Sequence, residues 1–133
     1  MKIIADTNLI VRFLLRDDEA QFKIVTALFG KAEQIVIPTH VICELAWVLL
    51  NGYKLQSRDV LESITQIVQS HKAVVREDEI DAGLHMMAQG GDFADGVNAY
   101  SGGVMARGAV FASFDKQVVR LLTGQGTAAM VPA

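Results

Sequence analysis

Lys2-Ile3-Ile4-Ala5-Asp6-Thr7-Asn8-Leu9-Ile10-Val11-Arg12-Phe13-Leu14-Leu15 opens the chain and decides its fold class. Lys2 to Ala5 reads as a short buried strand that Asp6 stops. From Thr7 the apolar residues Leu9, Ile10, Phe13 and Leu14 follow helical spacing, so a helix is predicted over 7–15. A strand that passes through a single acid into a helix is the first half of a β-α-β unit.

The same alternation recurs outward from that start. Asp18 or its neighbour is placed to cap a helix running to about Ala32, with Phe22, Val25, Leu28 and Phe29 on one face. Ile35-Val36-Ile37 is β-branched and closed by Pro38, which predicts a second buried strand. Thr39 is the expected N-cap of an apolar helix up to Gly52. A helix from Ser57 carries Val60, Leu61, Ile64, Ile67 and Val68 in step, and Ala73-Val74-Val75 reads as a third strand. Helices are predicted over Ile80–Ala88, ended by Gly90-Gly91, and from about Phe93 to Ala106. Gly96, Gly102 and Gly103 weaken the latter by roughly 1 kcal/mol each relative to alanine. A strand at Ala109–Ala112, a helix at Lys116–Leu122 and an edge strand within Ala128–Pro132 complete the reading. Short apolar strands alternating with helices predict an α/β fold: a three-layer α/β/α sandwich on a mainly parallel sheet of four to five strands. Ligands in such folds bind beyond the carboxyl ends of the strands.

The chain of 133 residues fits one domain, taken as residues 1–133. Hydrophobic residues make up 51% and charged residues 20%, which excludes intrinsic disorder. The net charge of -3 is not that of an obvious nucleic-acid binder. The lone Cys43 cannot form an internal disulfide and suits a buried thiol in a reducing compartment. No segment reads as a signal peptide. The longest apolar stretch, Val41–Leu50, is broken by Glu44 and falls short of the roughly 20 residues that span a bilayer. No membrane association and a cytoplasmic location are therefore expected.

Five acids stand out by position. Asp6 follows the first strand, and Asp115 follows the fourth through Ser113 and Phe114. Asp92 and Asp95, three apart at a predicted helix start, share a face. Glu44 is the only charged residue from Val41 to Leu50 and is expected to face apolar surroundings, where an unpaired carboxylate costs several kcal/mol. Each acid also has a purely structural use. Asp6 and Asp115 can cap helices, Asp92 and Asp95 can serve a helix first turn, and Glu44 can pair with a cation or snorkel. Jointly, they suggest an all-oxygen site suited to magnesium or manganese, since no run of His or Cys offers zinc ligands. Metal-assisted phosphodiester hydrolysis is the reaction class that follows.

Four blocks in order now carry a family resemblance: Ile3-Ile4-Ala5-Asp6-Thr7-Asn8, Glu44-Leu45-Ala46-Trp47-Val48-Leu49, Asp92-Phe93-Ala94-Asp95 and Ser113-Phe114-Asp115. Together they resemble the PIN domain, and in length and spacing the chain is similar to VapC, the ribonuclease toxins of type II toxin–antitoxin pairs. The resemblance covers almost the whole chain. It implies that Asp6, Glu44, Asp95 and Asp115 are the four catalytic acids that hold the metal. Asp92 matches an extra acid, and Thr7, Asn8 and Ser113 match polar positions that support the site. The resemblance further implies Mg²⁺ or Mn²⁺, an RNA substrate with transfer RNA among the candidates, a homodimer, and a cognate VapB-like antitoxin whose tail covers the cleft. One departure is local. The family continues its third acid with small apolar residues, where this chain has Asp95-Gly96-Val97-Asn98-Ala99-Tyr100.

With the five candidate acids set aside, ten remain against 12 basic residues, a balance of +2. Lys2, Arg12, Arg16, Lys116 and Arg120 are then candidates to hold an RNA backbone. Phe13, Phe22 and Phe29 are candidates for apolar surface covered by a second copy, and Trp47 is expected in the core. His40, His71 and His85 form no ligand set, and Met86 and Met87 read as packing. Rival readings are a PIN-type nuclease of RNA processing without an antitoxin, a catalytically inactive RNA- or protein-binding module, and a metal-dependent phosphatase of another α/β family.

Overall fold

In the computed structural model, which describes residues 1–133, β1 (Lys2–Ile4) leads through Asp6 into α1 (Thr7–Leu15). The chain then forms α2 (Glu19–Lys31), β2 (Gln34–Val36), α3 (Thr39–Trp47), a π-helical turn (Val48–Gly52), α4 (Ser57–Val68) and β3 (Ala73–Val74). These elements make up a first unit, Met1–Arg76. Its sheet has the order β1-β2-β3, all parallel, with Ile3 opposite Ile35 and Ile35 opposite Ala73. The helix between each pair of strands is the crossover that parallel pairing requires. Asp18 caps α2 as expected, its carboxylate accepting the Gln21 amide at 3.0 Å.

The first unit's core is built by one stripe from each helix: Ile10 and Val11, Val25, Ile42 with Leu45, and Val60 with Ile64, all buried. Each fully buried Ile or Leu side chain contributes about 1.5–3 kcal/mol. Several sequence expectations are corrected here. β1 is not buried throughout: Ile4 is 74% exposed, and the register puts it in one row with Val36 and the exposed Val74. Pro38, not Thr39, occupies the N-cap of α3, and Thr39 is the first helical residue. The N-cap amide hydrogen is not needed by the helix, so proline loses nothing there. The expected helix to Gly52 is α-helical only to Trp47 and then widens into the π turn. Trp47 is 61% exposed rather than core, because the buried stripe of α3 runs through Val41, Ile42, Leu45 and Ala46. Cys43 is half-buried. Phe13 stacks on Phe29 at 5.2 Å and meets the edge of Phe22 at 6.3 Å, so Phe13 packs against both rings.

The second unit, Glu77–Ala133, holds α5 (Glu77–Ala88), α6 (Phe93–Met105), β4 (Phe111–Ala112), α7 (Lys116–Gly124) and β5 (Ala129–Met130). β4 and β5 pair in parallel, with Phe111 opposite Ala129. The chain is thus α/β with five strands, parallel in every pairing, hydrogen-bonded as a ladder of three and a ladder of two. α5 begins a turn before the predicted start. Glu77, Asp78 and Glu79 fill its first turn, where the helix dipole favours acids.

Glycine does not break α6. A Cβ on Gly96 would stand 2.6 Å from the Ala82 carbonyl oxygen and 2.6 Å from Met86 Cβ. One on Gly83 would stand 2.5 Å from the Phe93 ring. The two helices approach through these notches, and only hydrogen fits there. The Tyr100 hydroxyl donates to Asp78 at 2.8 Å and Ser101 donates to Glu79 at 2.7 Å, fastening the same seam. Met86, Val118 and Leu122 form a buried cluster with Phe111 and Ala129 packed against it, and Met87 is buried too. No helix is long and apolar enough to cross a membrane.

Candidate active site

The first unit presents Asp6, Thr7, Asn8 and Glu44. Asp6 stands exposed between the buried Ala5 and Thr7, where β1 ends and α1 begins. Its backbone is extended, and Oδ1 accepts the Leu9 amide at 3.2 Å, capping α1. Oδ2 has no partner within the protein.

Thr7 is the chain's buried polar side chain, 8% exposed. Its hydroxyl donates to Glu44 Oε2 at 2.6 Å, tying α1 to α3. A bond this short, to a group able only to accept when ionised, is of the charge-assisted kind. Glu44 therefore corrects the sequence reading. It lies on the exposed side of α3 rather than among apolar neighbours, and its partner is a hydroxyl rather than a cation. The nearly all-apolar run Val41–Leu50 hid which face of the helix was buried. Nothing in the sequence signalled the Thr7 contact, because the two residues lie 37 apart. Asn8 is exposed beside Asp6.

The second unit presents Asp92, Asp95, Ser113 and Asp115. Asp92 occupies the N-cap position of α6, though its side chain makes no capping bond, and Asp95 sits in the first turn. Asp115 caps α7, with Oδ1 accepting the amides of Gln117 at 3.0 Å and Val118 at 3.3 Å. The Ser113 hydroxyl accepts the Asp115 amide at 3.0 Å, so the β4–α7 turn is fastened at both ends. Asp95 is pushed above the usual carboxylate range, first by partial burial and then by the negative charges of Asp92 and Asp115. Asp95 therefore feels the charge of both neighbours.

Chemically, both units offer oxygen donors of the hard type that magnesium and manganese take. The repulsion on Asp95 is of the sign a divalent cation relieves. No three His, Cys, Asp or Glu side chains already stand as a closed ligand set. Among the basic candidates, Arg12 pairs with Asp17 at 2.5 Å, and Arg16 pairs with Glu19 at 3.0 Å while lying 4.5 Å over the Phe22 ring. Both keep N–H donors beyond those pairs, and Lys2, Lys116 and Arg120 are exposed.

A family model for the PIN domain matches residues 3–100. The matched stretch contains Asp6, Glu44, Asp92 and Asp95, and stops before Ser113 and Asp115. No curated protein and no solved structure matches the chain closely enough to add to this. The match covers well over half of the residues, and with the parallel strands and acid-led helices already described it gives the family: the chain belongs to the PIN-domain proteins, an α/β fold of nuclease type whose members generally depend on divalent metal.

Proposed function

We propose that residues 1–133 form one PIN domain that cuts RNA as a metal-dependent endoribonuclease, and that it is the toxin of a type II toxin–antitoxin pair of the VapC kind. One observation carries the nuclease reading. In each unit an aspartate follows the carboxyl end of a parallel strand and caps the next helix through Oδ1 alone: Asp6 after β1, Asp115 after β4. Capping and metal binding are thus not alternatives, since the other oxygen of each carboxylate is left for a ligand.

In this reading Asp6, Glu44, Asp95 and Asp115 are the catalytic acids and, with Asp92, hold Mg²⁺ or Mn²⁺. Once bound, the ion lowers the pKa of the attacking water and offsets charge growing on phosphorus. Thr7 orients Glu44 through its hydroxyl, and Ser113 fixes the backbone from which Asp115 projects. Asn8 lines the approach to Asp6. Lys116 and Arg120, one helical turn apart on α7, are placed to meet phosphate oxygens. The toxin role rests on chain length and on the order and spacing of the four blocks. It carries with it a cytoplasmic RNA substrate, transfer RNA among them, a VapB-like antitoxin and a homodimer.

Induction in cells is the test. Growth arrest rescued by co-expression of the neighbouring reading frame supports the toxin. RNA cleavage without arrest favours a processing nuclease of the same family. Purified, metal-replete protein that leaves RNA intact leaves only a binding module.

A further inference from the structure

Beside Asp6 the first unit opens a cleft of about 460 Å³ between α1 and α2. That volume lies within the roughly 300–1,000 Å³ typical of small-ligand sites. Its walls are chemically sorted. Leu9, Ile24 and Val25 give an apolar side, and Ile24 remains 67% exposed. Asn8 and Gln21 give two carboxamides, neither of which bonds to another protein group through its side chain. Arg12 lies at the same cleft, its guanidinium fixed by Asp17, which also accepts from the Tyr53 hydroxyl at 3.4 Å. A guanidinium has five N–H donors, so most of them stay available after that pair forms.

An exposed isoleucine costs nothing to explain alone. An apolar wall facing two unspent carboxamides and an oriented cation is a different matter, because carboxamides pair both a donor and an acceptor with base edges. We propose that this cleft is a nucleobase subsite, holding the base of an RNA nucleotide next to the bond to be cut. The base face lies on Leu9 and Ile24, its edge meets Asn8 and Gln21, and Arg12 takes a phosphate. This rests on the nuclease reading for its substrate, and it adds a source of base preference drawn from Gln21 and Ile24, residues outside the four blocks.

Binding can be read without cleavage. The full chain, metal-free, is titrated with AMP, GMP, CMP and UMP at millimolar concentration while side-chain amide resonances are followed by NMR. Ribose 5-phosphate is the control for phosphate alone. The Asn8 and Gln21 NH₂ signals are expected to shift with nucleotides and not with the control, with affinities that differ between bases. Gln21→Ala should cost the preferred base about fivefold, the size of one hydrogen bond, and narrow the spread between bases. Ile24→Ala should weaken all four bases alike. Unmoved amides, shifts reproduced by ribose 5-phosphate, or an unchanged base ranking in Gln21→Ala would each overturn the subsite. A chain that binds bases here yet cuts no RNA would count against the nuclease function and not against the subsite.

Discussion

The two units share a helix-capping aspartate and differ in how they hold their other acids. In Met1–Arg76 each candidate carboxylate has a donor of its own: the Leu9 amide for Asp6 and the Thr7 hydroxyl for Glu44. In Glu77–Ala133, Asp92 makes no capping bond, and Asp95 is set against Asp92 and Asp115 with partial burial added. Asp115 is held much as Asp6 is, by the amides of Gln117 and Val118, so the difference between the units rests on Asp95, raised first by partial burial and then by the charges of Asp92 and Asp115. Neutralising Asp6 or Glu44 should therefore remove a positioned carboxylate, whereas neutralising Asp95 should relieve the cost of its partial burial beside Asp92 and Asp115.

The largest effect is expected at Asp6. Asp6→Asn keeps the capping oxygen for Leu9, since asparagine caps as well as aspartate, so the fold should survive. It removes a charge that, in the proposed nuclease, would hold the metal. Cleavage should fall at least about a hundredfold, the scale of one strong electrostatic contribution to catalysis. Unchanged circular dichroism with lost activity is the expected pair of results; near-normal cleavage would sink the site. Glu44→Gln separates the same two properties, because the amide oxygen can still accept from Thr7 while the charge is gone.

Next in size is the seam between α5 and α6. A valine at Gly83 or Gly96 cannot be seated without moving α6 from α5, since the positions of its Cβ are taken by Phe93, Ala82 and Met86. Overpacking of this kind costs about 1–3 kcal/mol. Urea midpoints should drop for both, and the pH dependence attributed to Asp95 should shrink as α6 shifts. Gly102 has nothing within 4 Å, so Gly102→Ala should instead stabilise by about 0.4–1 kcal/mol. If all three glycines behave alike, the notch account is wrong.

Much of this was legible in the sequence where one local signal decided the outcome. The passage from β1 through Asp6 to α1, the Asp18 cap and the aspartate at the head of α7 all follow from spacing within a single turn. What failed needed tertiary information. Val41–Leu50 is more apolar than one face requires, so the expectation that Trp47 and Glu44 face the apolar side fails for both, and both are exposed. Gly96 looked like a helix weakness until its neighbour on α5 was known. Glu77 to Glu79 carry no apolar periodicity, and only the dipole argument would have extended α5 to them.

Thr7→Val tests the hydrogen-bonded side of the comparison at smaller scale. Valine matches threonine in shape, and the lost bond to Glu44 should cost about 0.5–1.5 kcal/mol. Because Glu44 is exposed, water replaces the hydroxyl and no buried charge is orphaned. Activity should suffer more than stability, as Glu44 loses its orientation. Thr7→Ser restores a hydroxyl and should recover most of both.

The smallest effect lies at Asp95 and has the opposite sign. Its folded-state pKa is raised, so between the unfolded and folded values the native protein holds a proton that the unfolded chain has released. Below that interval both states are protonated and Asp95 contributes nothing. As pH rises through it, folding loses stability, and the loss is complete above the folded value. Asp95→Asn removes the ionisation and should stabilise metal-free protein at neutral pH, with the gain disappearing in acid. Solvent screening at this half-exposed position limits the gain to about a few tenths of a kcal/mol. Magnesium should stabilise the parent by relieving the same repulsion, and should stabilise Asp95→Asn less. Denaturation curves at acid and neutral pH, with and without magnesium, read all four corners. A variant that is less stable at neutral pH without metal would show that Asp95 is held by donors after all, as Asp6 and Glu44 are, and the contrast between the units would collapse.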